Sequence, residues 1–372
     1  MLIGVPHEVK NNEFRVSMTP AGVHELVARG HEVLVQAGAG SGSSIADEDF
    51  LAVGAKIAPG ADDVWDAADL VVKVKEPVPE EYRRMRAGQL LFTYLHLAAS
   101  RECTEALLAS GTTAVAYETV RRADGVLPLL APMSEIAGRL APQAGAAALL
   151  RPAGGRGVLL GGVPGVRPGR VVVLGAGVAG SNAVAIAAGL RAEVVALDRD
   201  VDRLRLIDAQ YAGAVRTVVS NALDVEREVL RADLVIGAVL VPGAKAPRLV
   251  SNDLVSRMMP GSVLVDISID QGGCFEDSHA TTHADPTYRV HGSLFYCVAN
   301  MPGAVPATST RALTNVTLPY VAELADRGWR DAMRADAALA GGLNVHAGAV
   351  VSEPVARAHG LGHTPLWDLL AG

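Results

Sequence analysis

Cysteine is scarce in this chain: Cys103, Cys274 and Cys297 are the only three in 372 residues. An odd, widely spaced set forms neither a disulfide framework nor a CxxC pair, which points to a reducing, cytoplasmic setting. Aromatic residues amount to 4%, too few to suit a β-sandwich, which draws on aromatic and β-branched side chains. A long basic run is missing and the formal net charge is −7, so nucleic acid is not an expected partner. The opening stretch MLIGVPHEVKNNEFR breaks its apolar run with a proline and charges, and no signal peptide is expected. One uncharged stretch, Val171 to Leu190, is long enough for a membrane span. Its clustered glycines and Ser181-Asn182 fit a strand, a tight turn and a buried helix better.

Glycine (39 residues) is abundant, and 50% of the chain is hydrophobic. That mix suits close packing of helices on a sheet, and the length suits two domains of roughly 100–200 residues each. Strand-like runs (LIGVP, HEVLVQ, DLVVKVK, QLLFTYL, TTAVAYE) alternate with helical stretches such as TPAGVHELVARG and SRECTEALLASG. Thr19 and Ser100 stand where helix N-caps belong. A long helical stretch, MSEIAGRLAPQAGAAALL, and a Gly/Arg/Pro-rich loop from Arg151 to Gly169 precede a second series: RVVVLG, EVVALD, DLVIGAV, SVLVDIS and LFYCVAN. After Pro302 the pattern turns helical again and reads as too short and strand-poor for a domain of its own. The expected fold is therefore α/β: two Rossmann-like doubly wound domains with a cleft between them, the first discontinuous. The expected boundaries are residues 1–128 with 307–372 for a substrate domain, and 129–306 for a dinucleotide-binding domain.

VVVLGAGVAGSNA sets Gly175, Gly177 and Gly180 in GxGxxG spacing, directly after a strand and opening a helix. The first glycine permits a tight turn, the second a close approach to a pyrophosphate, and the third close helix–strand packing. Asp198 ends the next strand, where an acid accepts hydrogen bonds from the adenosine ribose. Its charge would repel a 2′-phosphate, favouring NAD over NADP. Arg199 and Arg203 stand nearby, as phosphate ligands or as solvated helix charges.

Three further residues fall at strand ends: Arg15, Lys75 and His96. At the carboxyl edge of a parallel sheet they could converge: Arg15 to hold a carboxylate, Lys75 to donate to a carbonyl or imine, His96 to move a proton. Taken singly, Arg15 and Lys75 also read as surface charges, and His96, in the apolar run LLFTYLHLAAS, as a core histidine. Asp270 in VDISIDQGG reads as a site residue or as a turn-capping aspartate. His279 and His283 have i, i+4 spacing, but the HExxH glutamate is lacking and Pro286 follows, so no metal is expected. Glu118, ending TTAVAYE, carries no assigned role.

With these residues in view, the chain resembles the alanine dehydrogenase family over nearly its whole length. The likeness is carried by GVPHEVKNNEFRVSMTPAGV, VKVKEP, LFTYLHLA, PMSEIAGRLAPQ, LGAGVAG, VLVDISIDQGG and YCVANMPGAVPATST. The nicotinamide nucleotide transhydrogenase NAD domain shares part of this pattern, whereas KNNEFRV and YLHLA look like the dehydrogenase branch. The resemblance implies reversible, NAD-dependent oxidative deamination of L-alanine to pyruvate and ammonia. It implies Arg15 and Lys75 as substrate ligands, and His96 and Asp270 as catalytic residues. It implies cofactor contacts from Ser134, Gly175, Gly177, Val178, Ala179, Gly180, Asp198, Arg203, Ser220, Val239, Leu240, Ile267, Ser268, Ile269, Asp270, Val298, Ala299, Asn300 and Met301. Relatives often carry arginine where this chain has His279, a departure that puts that cofactor contact in doubt. The resemblance also implies a homohexamer, and closure of two domains around a crevice is expected of the fold, to exclude water. Two rivals make different demands: a transhydrogenase-like NAD-binding component needs a membrane-bound partner and no amino-acid site, and an NAD-sensing module needs no turnover.

Overall fold

In the computed structural model, which describes residues 1–239 and 246–370, short apolar runs form strands and the amphipathic stretches between them form helices. The strands are β1 (Leu2–Val5), β2 (Glu32–Gln36), β3 (Lys56–Ala58), β4 (Leu70–Val72), β5 (Leu90–Thr93) and β6 (Thr113–Ala116). They continue with β7 (Arg170–Leu174), β8 (Glu193–Asp198), β9 (Val215–Val219), β10 (Leu234–Gly237), β11 (Val263–Asp266), β12 (Thr287–Val290) and β13 (Ser293–Tyr296). The last two are β14 (Leu343–His346) and β15 (Ala349–Val350). The chain divides into two compact units, Met1–Met133 with Val305–Gly372, and Ser134–Ala304.

The first unit holds an eight-stranded sheet in the order β15-β14-β6-β5-β4-β1-β2-β3. β1 to β6 run parallel, while β14 and β15 are antiparallel additions. β4, β5 and β6 are buried at every residue, as expected of parallel strands covered on both faces. The predicted caps form: the Thr19 hydroxyl accepts from the Gly22 N–H, and the Ser100 hydroxyl from the Cys103 N–H.

The second unit holds a seven-stranded sheet in the order β12-β13-β11-β10-β7-β8-β9, parallel except for β12. Alternate residues of β7 feed opposite faces. Val171 and Val173 pack with Leu234, Ile236, Val263 and Val265, while Val172 and Leu174 pack with Val235, Leu264, Phe275 and Phe295. The suspicious run from Val171 to Leu190 divides into β7 and the helix Val178–Gly189. No described helix is long and apolar enough to cross a membrane.

The end of the chain departs from expectation. Read as strand-poor, it supplies β14 and β15, and β14 pairs with β6 through Leu343↔Val115. Four residues and two residues are too few to display an alternating pattern. Their strand character comes from the hydrogen-bonding edge that β6 offers. DLVVKVK is also shorter as a strand than it reads, because β4 stops at Val72.

Candidate active site

Parallel strands put all their carboxyl ends on one edge, and this groups the candidate residues of each unit. In the first unit, Arg15 follows β1, Lys75 follows β4, His96 follows β5 and Glu118 follows β6. Arg15 is no surface charge: it is 2% exposed. The carboxylate of Glu13 accepts from Arg15 Nε at 2.6 Å and from Nη2 at 2.5 Å. Nη1 lies 3.0 Å from the Met133 sulfur. Burial opposes the arginine charge, and Glu13 more than offsets it, raising the Arg15 pKa. The Nε–Nη2 side of the guanidinium fork is thus committed to Glu13.

Behind Arg15 stands a buried ion cluster that sequence reasoning missed. Lys73, with no exposed surface, reaches Glu8 at 3.1 Å and Glu81 at 2.8 Å. Glu8 also accepts the Val74 N–H at 2.6 Å and the Lys75 N–H at 3.4 Å, so it holds the main chain that carries Lys75. Burial raises the Glu8 pKa, with Lys73 acting the other way. Lys75 itself is partly buried, and its carbonyl accepts the Thr93 hydroxyl at 2.9 Å. The signal was present in EVKNNEFR and VKVKEPVPEE, where charges interrupt apolar runs, but a charge that pairs inside a core reads the same as one that is solvated.

His96 is not a core histidine. β5 ends at Thr93, Tyr94 and Leu95 stay buried, and the His96 side chain is 44% exposed. Its backbone is left-handed, with φ 48° and ψ 36°. The Tyr94 ring lies parallel to the imidazole with centroids 5.9 Å apart, and the Tyr94 hydroxyl donates to the Leu129 carbonyl at 2.5 Å. Burial raises the phenol pKa, with the charge of Arg15 acting the other way. A cavity of about 560 Å³ opens beside the loop that carries Arg15, with Glu8, Glu13, Phe14 and Arg15 in its wall.

In the second unit the glycine loop follows β7. Gly175 has φ 103°, and a β-carbon there would meet the Ala238 carbonyl at 2.5 Å. A β-carbon on Gly180 would lie 1.7 Å from the Gly175 carbonyl oxygen. Gly177 is different: its β-carbon would have only Arg203 Nη1, at 3.4 Å, for company. The packing needs the first and third glycines, whereas a bare backbone at the second leaves room for a ligand. Val178, Ala179 and Gly180 begin the helix that follows, so its N-terminal N–H groups face the loop.

Asp198 ends β8 and grips the loop: Oδ2 accepts the Ala176 N–H at 2.6 Å, and Oδ1 accepts the Asp200 N–H at 2.8 Å. Arg203 Nη1 stands 3.8 Å from Asp198. Ser220, after β9, donates its N–H to the Asp198 carbonyl at 2.9 Å. After β10, the Val239 carbonyl accepts the Ser268 hydroxyl at 2.7 Å; Leu240 lies outside the described residues. Ile267, Ser268, Ile269 and Asp270 form the turn after β11, with Asp270 exposed. Val298, Ala299, Asn300 and Met301 follow β13. Ser134 lies in the first turns of the helix Ala131–Leu149, which is tied to the glycine-loop helix by Arg139 donating to Asn182 at 2.8 Å. The strand order turns about β7, with β8 on one side and β10 on the other, which is where open α/β sheets bind dinucleotides. The loop, its acid and the helix N-terminus thus fit a nicotinamide dinucleotide.

Another residue missed from the sequence is Asp266, the buried last residue of β11. It accepts the Ser268 N–H and the Cys274 N–H at 2.9 Å each, and the Ser278 hydroxyl at 2.5 Å, which shapes the turn that carries Asp270. Burial raises its pKa against these donors. His279 lies on Tyr288 with ring centroids 3.6 Å apart, and His283 Nε2 is 3.2 Å from the Asn300 carbonyl. Their segment is not helical. Among the described residues, no group of three or more His, Cys, Asp or Glu is arranged to hold a metal ion.

Comparison with known proteins gives one answer along the whole chain. Residues 4–137 match the family described as alanine dehydrogenase/PNT, N-terminal domain, and residues 141–353 its C-terminal domain. The chain is 62% identical to alanine dehydrogenase from Mycolicibacterium smegmatis and 64% identical to that from Mycobacterium tuberculosis, each over 371 residues and 100% of both chains. A solved L-alanine dehydrogenase superposes with a TM-score of 0.94 at 53% identity, covering 97% of this chain and 99% of that one. A transhydrogenase from Sinorhizobium meliloti reaches a TM-score of 0.80 at 26% identity, covering 95% of this chain and 99% of that one. With both of its halves matched and full-length relatives at these identities, the chain belongs to the alanine dehydrogenase/PNT family.

Proposed function

We propose that this protein is an NAD-dependent L-alanine dehydrogenase, which converts L-alanine, NAD⁺ and water reversibly to pyruvate, ammonia and NADH. The observation that carries the reading is the grouping of a buried, Glu13-aligned Arg15 with Lys75 and the outward-facing His96 at one sheet edge. Full-length identity to alanine dehydrogenases supports the choice of substrate. In this reading Met1–Met133 with Val305–Gly372 binds the amino acid, and Ser134–Ala304 binds the dinucleotide.

Arg15 orients the alanine carboxylate through a charge-assisted pair of hydrogen bonds. NAD⁺, held by the Gly175–Gly180 loop and Asp198, supplies the hydride acceptor. Loss of hydride from Cα leaves iminopyruvate. Lys75 donates to the substrate and polarises its C=N or C=O bond. His96 takes a proton from the water that adds to the imine carbon, then returns it to the amine as the carbinolamine collapses. Asp270 assists the amine or the water. We extend the proposal to a cytoplasmic homo-oligomer, hexameric as the family resemblance implies, a state that light scattering measures.

The test follows NADH absorbance with NAD⁺ and a panel of small amino acids, wild type beside His96→Ala. Alanine-dependent NADH formation that His96→Ala abolishes is the expected result. A wild type that binds NADH but oxidises no amino acid sinks the proposal in favour of a transhydrogenase-like or sensing role.

A further inference from the structure

Glu13 holds the guanidinium end of Arg15, and a second set of contacts closes on the main chain at the other end of the same residue. The helix Pro306–Ala335 belongs to the returning part of the first unit and sets Thr310 beside the loop after β1. The Val16 N–H donates to the Thr310 hydroxyl at 3.0 Å, and that hydroxyl lies 2.7 Å from the hydroxyl of Ser43, on the turn Ser41–Ser43. Ser43 in turn donates to the Phe14 carbonyl at 3.0 Å, with the Pro306 carbonyl a longer second acceptor at 3.3 Å. Both hydroxyl residues are buried. A serine has one hydrogen to give, and here a carbonyl takes it, so Thr310 donates to Ser43. The bonds therefore run one way: Val16 N–H to Thr310, Thr310 to Ser43, Ser43 to the Phe14 carbonyl. A β-carbon on Gly42 would stand 2.6 Å from the Phe14 carbonyl oxygen, so the close approach of this turn needs glycine.

We propose that Thr310, working with Ser43, is the positioning residue of Arg15, an inference that rests on the substrate-binding role given to Arg15 above. The Phe14 carbonyl belongs to the peptide plane before the Arg15 Cα, and the Val16 N–H to the plane after it. A residue has two soft backbone dihedrals, and holding both neighbouring planes fixes both. The two hydroxyls thus set the direction in which the Arg15 side chain leaves the backbone. Glu13 sets its far end and also accepts the Arg15 N–H at 3.2 Å. An arginine fixed at both ends meets a carboxylate without losing rotamer freedom at that moment, and the affinity is higher for it. Val16 and Thr310 are 294 positions apart. The returning segment therefore completes the substrate site, besides covering the first sheet.

The test measures steady-state kinetics of Thr310→Val, Thr310→Ser and Ser43→Ala beside wild type, with a melting temperature and an NADH titration for each. Valine keeps the shape of threonine and removes the oxygen, whereas serine keeps the oxygen and removes the methyl group. Thr310→Val is expected to raise KM for alanine and for pyruvate about tenfold, the factor that 1.4 kcal/mol of lost binding produces, with KM for NAD⁺ within about twofold. Its kcat is expected to change less, the pattern of binding lost equally from ground and transition states. Thr310→Ser is expected to bring both substrate KM values back to within about threefold of wild type, even though the lost methyl group lowers the melting temperature. Wild-type substrate KM in Thr310→Val, an equal rise in its KM for NAD⁺, or a Thr310→Ser as impaired as Thr310→Val overturns the positioning role while leaving the alanine reaction intact. A wild type that oxidises no alanine instead overturns the reading on which the inference rests. Should Thr310→Val fail to bind NADH, Ser43→Ala takes its place. It removes the link to the Phe14 carbonyl and should raise KM for alanine about threefold or more, the effect of a single hydrogen bond, with KM for NAD⁺ unmoved. Wild-type KM for alanine in that variant overturns the proposal.

Discussion

Glu13 holds Arg15 by the Nε–Nη2 side of its guanidinium, with both side chains buried. The pair aims the arginine, and removing one partner leaves an uncompensated charge. Glu13→Gln is expected to destabilise the fold by about 3–5 kcal/mol in denaturant titration, the usual penalty for breaking a buried ion pair. Replacing both residues, Glu13→Leu with Arg15→Met, should recover most of that loss and still oxidise no alanine. A double variant that binds and oxidises alanine like wild type would remove Arg15 from the substrate site.

The two glycine tests separate packing from ligand binding. A β-carbon at Gly180 would strike the Gly175 carbonyl at 1.7 Å, so Gly180→Ala should lower the melting temperature and NADH affinity together. At Gly177 the neighbouring contact is 3.4 Å away, on a flexible arginine. Gly177→Ala should fold normally and still weaken NADH binding about tenfold or more, because the backbone can no longer approach the pyrophosphate. Calorimetry and NADH fluorescence titration check both, and unchanged NADH affinity in Gly177→Ala would argue against this loop as the pyrophosphate site.

Much of this architecture was legible in the sequence, because strand, turn and helix signals are local. The parallel edge that gathers Arg15, Lys75 and His96 follows once the βα alternation is recognised. What stayed hidden depends on partners distant along the chain. Lys73 and Lys75 are two positions apart and chemically identical, and only Glu8 and Glu81 distinguish the fully buried one. Asp266 looked like the end of a strand, since the donors it collects come from residues 268 to 278. β14 was invisible for a similar reason: its pairing with β6 spans more than two hundred residues. The left-handed backbone of His96 was hidden as well, because nothing local indicates a conformation whose amide is held by Glu118.

His346 gives a pH dependence of stability. It sits on β14 with Nδ1 2.9 Å from the Thr113 hydroxyl and its ring against Trp329. Burial, with Arg330 adding to it, lowers its pKa from 6.5. A base with a depressed folded pKa binds its proton more readily when unfolded. Stability conferred by the neutral ring is therefore present above about pH 6.5 and falls as the pH drops towards the folded value. His346→Gln should lose this component, so that its melting temperature falls less than that of wild type between neutral and mildly acidic pH. Parallel curves for the two proteins would refute the assignment.

Asp198 has two tasks that a pair of substitutions can separate. Its Oδ2 accepts the Ala176 N–H and so holds the glycine loop, while in the proposed function its charge faces the adenosine ribose. A 2′-phosphate there would meet this carboxylate at short range, so NADP⁺ is expected to be the poorer cofactor by about a hundredfold or more in kcat/KM, roughly the factor that 2.7 kcal/mol of repulsion produces. Asp198→Asn keeps an oxygen for the Ala176 N–H and removes the charge. It should preserve the loop, weaken NAD⁺ use moderately and raise the NADP⁺/NAD⁺ ratio about tenfold or more, with Arg203, 3.8 Å away, available to the added phosphate. Asp198→Ala loses the loop contact as well, so use of both cofactors should fall. Adding Arg203→Ala to Asp198→Asn should cancel the gain with NADP⁺ while changing NAD⁺ use little. Equal preference in wild type would show that Asp198 acts on the loop alone.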